Sequence, residues 1–255
     1  LQNSHQRLQG RTVLVSGASG GFGERFSRIC AAQGANVVLG ARRMDRLESL
    51  AGELREAGAG ACAVPLDVQD ENSVIAAYDR AEREFGAVDS VIANAGIEGA
   101  GSSTRLSVED FDGVYAVNVR GVFLVAREAA RRMRKADISR RGRILLISSI
   151  TARIAIPGLM PYSVSKAAVS HMTRLLAREW AAHGPNVNAL SPGYIETDLN
   201  TDWFASEGGK RQLAEFPRER LADIHALDEP VIFLLSDAAE FTTGADFVID
   251  DGQSL

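Results

Sequence analysis

Cysteine is almost absent: Cys30 and Cys62 are the only two in 255 residues, and each falls in an apolar run. That excludes a disulfide framework and predicts buried, inert thiols in a reducing compartment. The first residues, Leu1-Gln2-Asn3-Ser4-His5, carry no apolar signal segment, so the expected location is cytoplasmic. Histidine is scarce as well. His5, His171, His183 and His225 stand apart, without the paired spacing of a metal site, and no metal is expected. No apolar run reaches the roughly 18 residues of a membrane-spanning helix, which excludes a membrane partner of that kind. Positive charge is not in excess either: the formal net charge is −5, an argument against nucleic acid as a partner. What remains is 45% hydrophobic and 24% charged, the balance of an ordinary globular enzyme-sized chain.

The apolar runs alternate in kind. Short β-branched runs at 12–16, 37–39, 61–64, 88–93, 143–148, 186–190 and 246–249 are separated by segments of helical period at 23–33, 45–57, 70–85, 108–135 and 162–183. Short apolar strands separated by helices specify a parallel sheet covered on both faces. The expected fold is therefore α/β: a Rossmann-type, doubly wound parallel sheet of about seven strands. With no repeat or linker, the whole chain 1–255 reads as a single domain.

The first strand runs into Ser16-Gly17-Ala18-Ser19-Gly20-Gly21-Phe22-Gly23, and a helix follows. Glycines in that context let backbone amides approach a pyrophosphate, which the helix N-terminus favours electrostatically. Gly17, Ser19, Gly21, Phe22 and Gly23 are accordingly candidate cofactor contacts. The second strand ends Leu39-Gly40-Ala41-Arg42-Arg43. A carboxylate there would bind a ribose 2′-hydroxyl, whereas arginine accommodates a 2′-phosphate. Ala41 stands in the carboxylate's place, so NADP(H) is expected over NAD(H), with Arg42 and Arg43 as its ligands.

Tyr162 and Lys166 are four residues apart on one helix face, and Ser149 ends a strand thirteen positions earlier. An ammonium beside a phenol favours phenolate, so the tyrosine's pKa is expected to be pulled down toward the working pH, as a carbonyl/alcohol acid–base group requires. Alone, each residue reads equally well as core packing or a solvated surface group. Together they point to redox chemistry on a carbonyl.

In this order the residues resemble the short-chain dehydrogenase/reductase family over nearly the whole chain. Ser16-Gly17-x3-Gly21-x-Gly23 is similar to the family's Thr-Gly-x3-Gly-x-Gly, and Ala93-Asn94-Ala95-Gly96 to Asn-Asn-Ala-Gly with the first asparagine lost. Asp67-Val68 matches the pair that contacts adenine. Pro192-Gly193-x-Ile195-x-Thr197 matches the motif that meets the nicotinamide. The resemblance adds Asp67, Val68, Asn94, Ala95, Gly96, Pro192, Gly193, Ile195 and Thr197 to the cofactor contacts. It implies a catalytic tetrad of Asn118, Ser149, Tyr162 and Lys166. Tyr162 would exchange the proton, Ser149 would bind the carbonyl oxygen, and Asn118 would anchor a relay water. Lys166 would hold the nicotinamide ribose, a second cofactor contact beside Tyr162. An enoyl reductase is disfavoured, since those relatives separate tyrosine and lysine more widely. A 3-oxoacyl thioester reductase and a sugar or polyol dehydrogenase stay open. A cofactor sensor without turnover would have no use for Tyr162.

Two segments depart from the family pattern: Asn186-Val187-Asn188 replaces Arg-Val-Asn, and the tail reads Ile249-Asp250-Asp251-Gly252-Gln253. Both are expected to bear on subunit contacts and not on the chemistry. The segment 194–226 is irregular and reads as a substrate lid. Its inner face is expected from Ile195, Leu199, Trp203, Phe204, Leu213 and Phe216, near Tyr194, with Ile150, Ile154, Leu159 and Met160 opposite. Such a pocket predicts an apolar or aromatic ketone. The basic run 131–143 reads as a solvated helix end suited to the dipole, with docking of an acidic carrier as its alternative. The two long helices carry surplus apolar positions, which predicts a homotetramer.

Overall fold

The computed structural model describes residues 6–196 and 201–255. Thr197 and Leu199, both named above, lie outside the described residues. Seven strands form one parallel sheet: β1 (Thr12–Ser16), β2 (Asn36–Ala41), β3 (Ala61–Pro65), β4 (Ser90–Ala93), β5 (Arg143–Ile147), β6 (Asn186–Pro192) and β7 (Asp246–Ile249). Their order across the sheet is β3-β2-β1-β4-β5-β6-β7. β1 lies between β2 and β4, so the direction of winding reverses there. In open parallel sheets the ligand crevice forms at the carboxyl ends of the strands flanking such a reversal.

Alternate strand residues serve opposite faces. Val13, Val15 and Leu39 pack with Phe26 of α1 (Gly21–Ala32), Leu47 of α2 (Met44–Glu56) and Leu235 of α9 (Asp228–Leu235). Leu14, Val38 and Val91 pack on the other face with α3 (Glu71–Phe85), α5 (Val122–Lys135) and α6 (Met160–Trp180). Burial on both faces is why the strands read as continuous apolar runs rather than alternating ones. Asp70 caps α3 by accepting from Asn72 N, and Pro161 sits in the first turn of α6, where its missing N–H costs nothing. That turn sets Tyr162 at the head of the helix.

Two expectations need correction. The segment read as one helix over 108–135 is three pieces: α4 (Val108–Tyr115), a π-helical turn (Ala116–Gly121) and α5. Gly121 is pressed onto Val68, where a Cβ would lie 2.7 Å from Val68 Cγ2, and the chain takes a wider turn at that point. The basic run is a solvated helix end only in part: Arg131, Arg134, Lys135 and Arg140 are exposed, whereas the other three basic residues are tied to the fold. Arg132 pairs with Asp79, Glu82 and Glu128, Arg141 pairs with Asp89, and Arg143 is buried with its donors on the carbonyls of Arg140, Arg141, Gly142 and Ser236. Among the described residues, no helix is long and apolar enough to cross a membrane. Two helices, α7 (Thr201–Ala205) and α8 (Glu207–Glu215), follow β6 within the segment expected to form a lid.

Candidate active site

The glycine turn leaves no room for a side chain at Gly17 or Gly23. A Cβ on Gly23 would lie 2.2 Å from Gly17 O, and one on Gly17 would lie 2.9 Å from Ala95 Cα; Gly17 and Gly21 also take φ of 71° and 54°. Ser16 Oγ accepts from Asn94 N (3.0 Å) and Ala95 N (3.1 Å), and Asn94 Nδ2 donates to Ser16 O (3.1 Å). The turn after β1 and the loop after β4 are thereby locked together across the crevice. The cradle is bare backbone at the N-terminus of α1, a fit for a pyrophosphate.

The arginines divide unevenly. Arg43 reaches back to Ser19 Oγ through Nε (3.1 Å) and Nη2 (2.9 Å), whereas Arg42 is exposed with no such contact. Arg46 also approaches, its Nη1 lying 4.0 Å from a Cβ placed on Gly20. Among the described residues, none of Arg42, Arg43 and Arg46 pairs with a carboxylate. At the end of β3, Val68 is spent on packing under Gly121, which leaves half-buried Asp67 as the member of that pair open to a ligand. Phe22 packs on Phe26, with ring centroids 6.0 Å apart.

The tetrad converges at the carboxyl end of β5. The Ser149 hydroxyl lies beside the Tyr162 phenol, where it favours the ionised form, and accepts from Thr151 N at 3.2 Å. Neighbouring Ser148 turns inward, onto Lys166 O and Ser170 Oγ. Lys166 is buried, its Nζ donating to Ile147 O at 2.9 Å and lying 5.5 Å from the Tyr162 ring centroid. Asn118, on the π-helical turn, donates to Ile97 O (2.9 Å) and Ser165 Oγ (3.0 Å) and accepts from Ile97 N (2.8 Å). Its amide therefore holds the loop after β4 to α6. Gly96 lies over both: a Cβ there would be 3.4 Å from Asn118 Oδ1 and from Lys166 Nζ.

The expected lowering of the tyrosine's pKa is not found in this state. Burial pushes the Tyr162 phenol up to about 12, against the opposing pull of the Ser149 hydroxyl. Burial also pushes the Lys166 ammonium down to about 8. The lysine is aimed at a carbonyl rather than at the phenol, so desolvation prevails over attraction. Tyr162 is consequently a neutral phenol at neutral pH, a proton donor.

The lid also differs from expectation. Trp203 is 52% exposed, its indole N–H bonded to Gln212 Oε1 at 2.8 Å, so it does not line an inner face. Phe204 and Phe216 are buried against Tyr194, each with its ring centroid 5.6 Å away, and Leu213 is half-buried. Ile195 belongs to the core on the α1 side and bridges to Ala222. Of the opposite wall, Ile150 is core, Ile154 and Leu159 are half-buried, and Met160 is exposed. Phe204 and Phe216 are consumed in packing and leave polar groups near the mouth: Tyr194, with the Gln212 side chain beside its phenol, and Glu98.

The tail touches the site after all. Gln253 Oε1 accepts from Tyr194 N (2.6 Å) and its Nε2 donates to Tyr194 O (3.0 Å), while Gly193 packs so closely that a Cβ would be 2.5 Å from Gln253 Oε1. This clamp fixes the chain just after Pro192. The departing glutamine was visible in the sequence, but a pairing across 59 positions was not. A separate cleft of about 340 Å³ runs along the outer face of α6 past Arg153, His171 and Arg174, and contains none of the tetrad.

A parallel sheet with a backbone cradle at its winding reversal and a serine–tyrosine–lysine cluster beside it defines a dinucleotide-dependent oxidoreductase site. A family model described as enoyl-(acyl carrier protein) reductase matches residues 17–254. The chain is 38% identical over 259 residues to the oxidoreductase UcpA of Salmonella typhimurium, covering 98% of this chain and 96% of that one. It is 37% identical over 243 residues to a cis-4-hydroxycyclohexanecarboxylate dehydrogenase of Sinomonas cyclohexanicum, covering 95% and 96%. Among solved structures, a gluconate 5-dehydrogenase from Burkholderia cenocepacia J2315 in complex with NADP and tartrate superposes with a TM-score of 0.91 at 31% identity, covering 98% of each chain. The chain belongs to the short-chain dehydrogenase/reductase family.

Proposed function

We propose that this protein is an NADP(H)-dependent oxidoreductase that interconverts a ketone and a secondary alcohol. The observation that carries the reading is the cluster of Ser149, Tyr162 and buried Lys166, with Lys166 Nζ 5.5 Å from the Tyr162 ring centroid, beside the glycine cradle. When bound, the nicotinamide supplies or takes the hydride. Gly17, Gly21 and Gly23 would receive the pyrophosphate, and Arg43 with Arg42 the 2′-phosphate. Three arginine side chains without carboxylate partners, at the position where a carboxylate would select NAD(H), support NADP(H). In reduction, Ser149 donates a hydrogen bond to the carbonyl oxygen and steadies the charge that grows on it. Tyr162, held neutral, delivers its proton to that oxygen. Lys166 places a positive charge beneath the phenolate left behind, and in oxidation the same groups run in reverse. Asn118 positions the loop over Lys166, and the relay water expected of it would be held at its main chain.

The test is NADPH and NADH oxidation against ketones, 3-oxoacyl thioesters and keto-sugars, with the reverse reaction on the alcohols. Activity with NADPH on at least one ketone class is expected; activity with NADH alone would remove the cofactor assignment. A sugar or polyol dehydrogenase is the second reading. It is favoured by the lid, whose Phe204 and Phe216 are buried while Gln212 and Glu98 remain near the mouth. This reading further places the enzyme in the cytoplasm, where the two free, buried thiols would stay reduced, as a homotetramer. Val164 and Leu175 on α6 and Phe241, 94% exposed, supply apolar surface for subunit contacts. A monomer in light scattering at micromolar concentration would reject that assembly.

A further inference from the structure

The loop after β4 brings a carboxylate to the mouth of the site. It is fixed on both sides of Glu98. Ile97 exchanges two hydrogen bonds with the Asn118 amide, at 2.8 and 2.9 Å. Gly99 is packed so that a Cβ would lie 2.6 Å from Val114 Cγ2 and 3.0 Å from Cγ of Pro161, the residue before Tyr162. Between these anchors Glu98 is exposed, with no hydrogen bond or ion pair among the described residues. Its charge is felt at two phenols. Burial first, and then the Glu98 carboxylate, push both Tyr162 and Tyr194 upward. Among the described residues, Ser149, Tyr194 and Gln212 at this mouth are neutral, and the Lys166 ammonium is buried on Ile147 O.

We infer that Glu98 is a specificity-determining residue that admits neutral or ammonium-bearing substrates and rejects those carrying a carboxylate. The inference rests on the ketone/alcohol reading above and names the substrate class of that site. An unpartnered carboxylate accepts hydrogen bonds from a hydroxyl or an ammonium but only repels an anion at the same distance. Rejection by an uncompensated like charge is a recurrent source of selectivity. The chain would then differ from relatives named for gluconate and for a cyclohexanecarboxylate.

Three ketones of one shape separate the cases: 4-methylcyclohexanone, 4-aminocyclohexanone and 4-oxocyclohexanecarboxylate. With NADPH, Glu98→Gln should raise the carboxylate-to-neutral ratio of kcat/KM by about tenfold and lower the amine-to-neutral ratio by a similar factor, while Glu98→Asp keeps both near wild type. Ratios that stay within about twofold in Glu98→Gln overturn the assignment. If none of the three is turned over, the ketone reading fails on this panel, and charge selection is read by binding instead. Calorimetric titration of the NADP-loaded protein with cyclohexylamine and cyclohexanecarboxylate should favour the amine in wild type and lose the difference in Glu98→Gln. Equal binding by wild type would overturn the inference independently of turnover.

Discussion

The two ends of the sheet bury charge in opposite ways. At the amino end, Arg11 is buried with Asp89, Ser90, Asp237 and the Arg141 carbonyl as partners, and Arg141 returns to Asp89 from the other side. At the carboxyl end, among the described residues, the Lys166 ammonium has a single carbonyl, the Tyr162 phenol has the Ser149 hydroxyl beside it, and the arginines after β2 have no carboxylate. Partnered charge fastens a fold, whereas underpartnered charge stays available to a ligand or a proton. The perturbed groups of functional interest therefore collect at one end only.

The largest effect should come from the carboxyl end. Tyr162→Phe removes the proton donor while keeping the ring, so kcat should fall about a thousandfold with NADPH affinity little changed. Stability should hold or rise slightly, because no partnered charge is broken. Steady-state kinetics alongside cofactor fluorescence titration check this, and a variant keeping a tenth or so of wild-type kcat would end the acid–base assignment.

The amino end should answer in stability instead. Arg11→Met leaves Asp89, whose carboxyl burial already pushes upward, without one of its two cations. Breaking a buried pair by removing one partner costs about 3 kcal/mol. Urea unfolding should show that loss, with kcat per folded molecule close to wild type. A normal midpoint would dissolve the contrast between the two ends.

The features legible in the sequence are those set by local spacing. β1 is read residue for residue, because a strand buried on both faces is a bounded apolar run. The choice of Ser149 over Ser148 likewise rested on local spacing, since strand end and helix start fix the separation from Tyr162. Features set by tertiary contact were not legible. The π-helical turn depends on Val68 meeting Gly121, and the Gln253 clamp on residues far apart in the chain. Adjacent Arg42 and Arg43 cannot be ranked without knowing which one turns back to Ser19. Phe204 and Phe216 read equally well as pocket or packing, and the structure made them packing. Burial, invisible in a four-residue spacing, reversed the expected titration of Tyr162.

That reversal has a measurable signature in pH. Burial lowers Lys166 from 10.5 to about 8 in the folded protein. Between those values the unfolded chain holds a proton that the folded chain has released, so stability rises with pH across the window. Tyr162, near 12, titrates above it. The wild type without cofactor should gain on the order of 2 kcal/mol relative to Lys166→Met between pH 8 and 10.5. Urea titrations at several pH values measure the difference, in which the other titrating groups cancel. Parallel profiles would mean that Lys166 is as well partnered as the amino-end arginines.

The smallest effect tests the exposed part of the carboxyl end. Arg43 is held at Ser19 by two donors on a hydroxyl, which a 2′-phosphate can share without breaking an ion pair. Arg42, one residue earlier, has no such anchor and must be ordered on binding. A charge-assisted contact to phosphate contributes more than a neutral one, and an exposed site weakens it by screening. Arg43→Ala should therefore lower the NADPH-to-NADH ratio of kcat/KM by about tenfold, and Arg42→Ala by about threefold. Raising the salt concentration should shrink both differences, because the Debye length falls to about 3 Å at 1 M. If Arg42→Ala has the larger effect, the side-chain arrangement around Ser19 changes when the cofactor binds. If neither variant moves the ratio, the unpaired arginines are solvated surface, and the contrast between the two ends narrows to Tyr162 and Lys166.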